Sequence, residues 1–315
     1  MNAIEMTKIR MLGTLGIGAL LCVVGLSVMG AESTTASAIL PSAAAVSPAM
    51  ASARALSDLT KARSIFKEQQ DAVVVVTSAI SMEVDGTRQE DNGETVGTVI
   101  NSRGLTVVSC MKVDPIFTLN DLLKNEPGSA SIQGSVSKLR IQLANGTEIP
   151  AKIVYHDAEL DLALIAPDTE KPVAPFVHVT LGDGAELDVL EPLLSIVRLS
   201  PVYNRRAALG RCTVAAKLEG KQGCYILTGD GGAQHGAPLF KADGTIAGIL
   251  LMHRPSLELD VESDNGVLVP VKQIRKAVAI VEGAAEAETV NKSKGISVVT
   301  APAHEPVDGV VKAAP

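Results

Sequence analysis

Aromatic residues are nearly missing from this chain of 315 residues: they make up 2%, and Trp is absent altogether. A core must therefore be built from Val, Ile, Leu and Ala, and a hydrophobic content of 46% is ample for one. An excess of positive charge is missing too. The formal net charge is -7, which argues against a nucleic-acid surface, because phosphate binding needs a basic footprint. Two local gaps matter more. No His occurs between Gln69 and Tyr155, and no Ser between Tyr225 and Pro255.

The first 31 residues read as an export segment. Lys8 and Arg10 precede an uncharged, mostly apolar run from Met11 to Met29, followed by Gly30 and Ala31. The run suits a cleaved signal peptide, but it also approaches bilayer length. It could stay uncut as a membrane anchor through residues 11–31. Either way the body is exported to the periplasm or another extracytoplasmic space. Residues 32–54 are Ala, Ser, Thr and Pro with almost no charge, a flexible linker. Leu56, Leu59, Ala62 and Phe66 then recur at helical spacing.

From Asp71 the period changes to that of strands. Short β-rich runs are separated by turns, Asn145-Gly146 being the sharpest hairpin signal. Two groups of about six such runs, near 72–168 and 182–271, predict an all-β fold of two six-stranded antiparallel barrels. A short N-terminal helix and a C-terminal helix, "KQIRKAVAIVEGA", flank them. The stretch 114–134 reads as a long polar loop with one helical turn, and 284–315 as a disordered tail. Of the four cysteines, Cys110 reads as core. Cys212 and Cys224 flank the turn "EGKQG", and a hairpin there would allow either a cross-strand disulfide or two buried free thiols.

Four segments carry a resemblance. "VGTVINSRGLTVVSCMKV", "HDAELDLALIAP", "GDGGAQHGAPLFKADGTIAGIL" and "NGVLVPVKQIRKAV" follow one another as in the trypsin-like serine proteases, most closely the HtrA/Deg branch. The likeness spans residues 55–283. It implies a chymotrypsin-type double barrel and a Ser-His-Asp triad, in which a hydroxyl attacks the peptide carbonyl and an imidazole takes its proton. Counted along these motifs, the His position falls on Met111, the Asp position on Asp161 and the Ser position on His235. The former oxyanion loop reads Ala233, Gln234, His235, Gly236 and Ala237, with alanine Cβ atoms where the family has a glycine-rich turn.

A thioether cannot shuttle a proton, and the two gaps in His and Ser leave no residue for a shifted register to recruit. Losing such a base or nucleophile costs roughly a millionfold in turnover. The resemblance therefore implies a proteolytically inactive homologue that binds a protein or peptide of the cell envelope. The alternative is an active serine-type hydrolase with relocated nucleophile and base. In the first reading His235 is a polar filler of the nucleophile position within reach of Asp161. His156 is a surface residue rather than a relocated base. Ser109 and Thr228 lack a partnered base in the sequence. Met111, Asp161 and His235 make a poor zinc set, so no metal or other cofactor is expected. "GDGG" at 229–232 lacks the Lys-Ser/Thr ending of a phosphate loop. The chain also stops before the PDZ module that follows the protease in many HtrA/Deg relatives, so recognition is expected to use the barrel cleft itself.

Overall fold

The computed structural model describes residues 48–84, 87–124, 131–169, 175–184, 186–218, 223–229, 234–252 and 266–293. The leader at 1–31 and most of the linker lie outside these residues, as do Asp230–Ala233. Among the described residues no helix is long and apolar enough to cross a membrane.

Helix α1 (Pro48–Gln69) leads through one 3-10 turn into the first barrel. Its strands are β1 (Val73–Val84), β2 (Thr87–Val99), β3 (Thr106–Ser109), β4 (Gln133–Gln142), β5 (Glu148–Asp157) and β6 (Leu162–Pro167). They close in the order β1-β2-β3-β6-β5-β4, every pairing antiparallel. The second barrel holds β7 (Pro192–Arg198), β8 (Ala207–Lys217), β9 (Tyr225–Thr228), β10 (Pro238–Phe240), β11 (Ile246–Met252) and β12 (Gly266–Pro270). It closes as β10-β11-β12-β9-β8-β7. Closure leaves neither barrel with a free sheet edge.

The residues explain the elements. Val73, Val74, Val75 and Val76 are all buried, because β1 is covered on both faces: Val74 and Val76 fill the first barrel while Val73 packs toward the second. Gly146 takes φ +83 in the β4–β5 hairpin, the left-handed turn conformation that glycine adopts without cost. Helix α4 (Val271–Ser293) follows β12 directly and seats Val271, Ile274 and Ala277 on the barrels.

Several boundaries differ from expectation. Helix α1 begins at Pro48, inside the expected linker, and α4 runs through Ser293, past the tail boundary expected at 284. The apolar run after Leu105 stops being a strand at Ser109. Cys110–Val113 forms a short helix, α2, because the Ser109 hydroxyl accepts from the Lys112 N–H as an N-cap. Helix α3 (Pro115–Leu123) replaces much of the expected loop, capped by Asp114 with Pro115 in its first turn.

The disulfide alternative for Cys212 and Cys224 does not hold; both are free, buried thiols. The hairpin forms, but its register sets Thr213 opposite Thr228 and Lys217 opposite Tyr225. Cys212 and Cys224 thus fall at opposite ends of the ladder and pack in different apolar clusters.

Candidate functional site

The end of β3 and the start of β6 meet at Asp161. This residue sits just before β6 with φ +53, a left-handed conformation that Asp tolerates better than most residues. Its carbonyl accepts from the Cys110 N–H at 2.9 Å, which holds the strained backbone in place. The side chain is 2% exposed. One carboxylate oxygen accepts from the Met111 N–H at 2.7 Å. The other accepts from the Ser109 hydroxyl at 2.6 Å and from the Met252 N–H at 2.9 Å. Burial pushes the Asp161 pKa up to about 6; the three donors and the nearby Lys112 charge oppose it but do not prevail. The expectation that His235 would lean on this carboxylate is corrected here: among the described residues its bonds come from Ser109, Met111 and Met252.

His235 lies on the turn that leads into β10, half-buried. The turn is fixed from three sides. The Ala237 N–H donates to the Gln234 carbonyl, and the Gly236 N–H donates to the Leu250 carbonyl. The hydroxyls of Thr95 and Thr98 on β2 donate to the carbonyls of His235 and Gly236. Gly236 takes φ +92, and an added Cβ would run into the backbone of Val96. Gly236 is thus the described position at which this turn requires a glycine. Ala237 is outside the positive-φ set and fully buried against both barrels. Gln234 accepts from the Arg198 backbone N–H at 3.0 Å. Ala233 lies outside the described residues.

Between the barrels opens a cleft of about 740 Å³. Glu94 and Lys112 line it from the first barrel; Arg198, Cys212, Ile226 and His235 line it from the second. Lys112, not Met111, is the residue after β3 that faces this space; Met111 contributes its backbone N–H to Asp161 instead. The triad-like positions thus split. Asp161 lies beneath the cleft, Lys112 and His235 line it, and the Met111 side chain is not part of its wall.

Arg198 was not singled out by its sequence context. It is 7% exposed, and its three guanidinium nitrogens donate to the carbonyls of Val73, Gln70 and Arg205. Burial lowers its pKa below the ordinary value, with the charge of Asp71 opposing. Glu94 is held by Arg205 through two bonds, the shorter 2.6 Å.

The remaining candidates are spread over the fold. Cys110 is fully buried, and burial pushes its thiol up to about 12. His156 is not the plain surface residue expected. Its ring stacks on Phe117 with centroids 4.3 Å apart, and its Nε2 lies 3.2 Å from Asp114 Oδ2. Thr228 lines the cleft, whereas Ser109 is committed to Asp161. Among the described residues no group of three or more His, Cys, Asp or Glu side chains is placed to hold a metal ion.

Residues 95–249 match the family model described as a trypsin-like peptidase domain. Among curated proteins, a "probable periplasmic serine endoprotease DegP-like" of Rickettsia conorii is 39% identical over 62 residues. That match covers 20% of this chain and only 12% of the relative's own length. With two closed six-stranded barrels beneath these matches, residues 95–249 form a trypsin-like peptidase domain in a chain that resembles, over a short stretch, a DegP-like endoprotease.

Proposed function

We infer that this protein is an exported, proteolytically inactive member of its family that binds a protein or peptide of the cell envelope in the cleft between the barrels. One observation carries the reading: the ionisable side chains at the ends of β3 and of the turn before β10, facing the cleft, are Lys112 and His235. A protonated ammonium has no lone pair with which to accept a proton, and an imidazole in the nucleophile position leaves no acyl-serine to form. Cys212 is the thiol that lines the cleft, but burial pushes it up to about 11. The thiolate, the nucleophilic form, is therefore disfavoured at neutral pH. Export is supported by the charged-then-apolar leader and by the periplasmic description of the Rickettsia relative.

The test is a covalent serine-hydrolase probe together with casein cleavage, run on purified protein. No labelling and no turnover are expected. Labelling or cleavage that survives His235→Ala and Asp161→Ala would establish relocated chemistry and end this reading. Binding is tested by capture from an envelope extract, which Ile226→Arg in the cleft wall should abolish; a capture insensitive to that change would place the partner elsewhere.

A further inference from the structure

The charges around the cleft do not balance, although the chain as a whole is acidic. Among the described lining residues Glu94 is the one carboxylate, and Arg205 already neutralises it. Asp161 is buried below the cleft; its three donors are neutral, so above its pKa of about 6 it sets one negative charge against the cations. Against these stand two cations. Lys112 is exposed and has no ion-pair partner among the described residues. Arg198 is buried with backbone carbonyls, not carboxylates, at its three nitrogens, so its charge remains while its geometry is spent. A low-dielectric wall strengthens the field of a charge held in this way.

We propose that the cleft binds the carboxylate of an extended peptide, with Lys112 as its counter-ion and Leu199, Pro201 and Ile226 as the apolar wall for the neighbouring side chain. The inference rests on the peptide-binding reading above and names the chemistry of the ligand. A carboxylate fits better than a phosphate. One free ammonium supplies a point charge, whereas a dianion favours a guanidinium fork, and Arg198, the guanidinium among the described lining residues, has its nitrogens turned to the chain's own carbonyls. Leu199 and Ile226 are 37% and 39% exposed, half-covered aliphatic surface of the kind a neighbouring Val or Leu would finish covering. The carboxylate could come from an Asp or Glu side chain or from a chain terminus, which share this chemistry.

Three short probes separate the possibilities: acetyl-Ala-Val-Glu-Val-Ala-amide, its Gln counterpart, and the Gln peptide with a free C-terminal carboxylate. Each is titrated to millimolar concentration into the isotope-labelled full chain and followed by NMR. A probe carrying a carboxylate should bind about tenfold tighter than the neutral Gln amide, a preference that weakens with added salt. If the Glu probe is preferred, the source is a side chain; if the free-terminus probe is preferred, it is a chain end. Lys112→Gln should reduce the preference to within about twofold, Lys112→Arg should keep it, and Lys112→Glu should invert it. Lys112 is exposed, so these variants are expected to fold, and their amide spectra report whether they do. Equal affinity for charged and neutral probes, or a preference that persists in Lys112→Gln, overturns the proposal while leaving a peptide-binding cleft. Absence of any shift at Thr95, Ile226 or His235 with all three probes overturns both.

Discussion

Asp161 shows how one buried carboxylate can tie three segments of the chain together. Its carboxylate organises the end of β3, the start of α2 and the end of β11 through three donors. That role is structural, and it has a pH signature. The pKa rises from the ordinary 3.8 to about 6 on folding, so between these values the native state binds more protons than the unfolded chain. The stability contributed by this group is therefore full below about pH 4 and is lost as pH rises through 6. The difference corresponds to about 3 kcal/mol. Urea denaturation at pH 4.5 and pH 7.5 should show about 2 kcal/mol of this loss in the wild type and a flatter profile in Asp161→Asn. An Asp161→Asn variant with the same pH slope would assign the effect to other groups. Gly236 is equally constrained. Gly236→Ala adds a Cβ at φ +92 against the Val96 backbone, and should cost about 2–4 kcal/mol or prevent folding, as read by the urea midpoint.

At the level of elements, the strands were legible because Val and Ile runs alternate with clear turns. Asn145-Gly146 gave the β4–β5 hairpin from chemistry local to four residues. The errors fall where a distant contact decides. Cys110 and Met111 look like strand, yet their N–H groups are gripped by Asp161, some fifty residues on, and the chain curls into α2. That curl makes Lys112 the cleft residue, and no pattern in "SCMKV" announces it. Arg198 was invisible for the same reason, since its partners are carbonyls near residue 70 and carry no side-chain code. Removing it in Arg198→Met leaves the carbonyls of Val73 and Gln70 without donors between β7 and the start of β1. A loss of about 2–4 kcal/mol is expected in thermal or urea unfolding. The β8–β9 register gives a separate prediction. Reductant should leave the melting temperature unchanged, and thiol titration of the denatured protein under non-reducing conditions should find Cys212 and Cys224 both reactive. A Cys212–Cys224 disulfide-linked peptide in a digest would contradict it.

On the scale of the molecule, each barrel has its own core and the two share two further apolar clusters at their seam. One apolar cluster joins Val73 and Val96 of the first barrel to Ile196 and Phe240 of the second, with Ala62 and Ile65 of α1 closing it. Another joins Ile100 and Leu105 to Ile249 and Leu251 beneath Ile274 of α4. Neither barrel can unfold without exposing part of both clusters, so a single transition is expected. Calorimetric and van't Hoff enthalpies should agree, and fluorescence reporters placed one in each barrel should give the same midpoint. Two separated midpoints would show that the barrels are energetically independent. The family-level architecture was legible from the order of four motifs. The charge balance of the cleft was not, because it depends on which acids are neutralised, as Glu94 is by Arg205, and which cations are left over, as Lys112 is.

The seam at Gly236 has one more implication. The turn bearing His235 has its carbonyls tied to Thr95 and Thr98 and its glycine seated on Val96, so it cannot swing by itself as a surface flap would. A guest entering or leaving must find the passage already open or rock one barrel against the other. Amide hydrogens of β2 and of this turn should then exchange at one common rate.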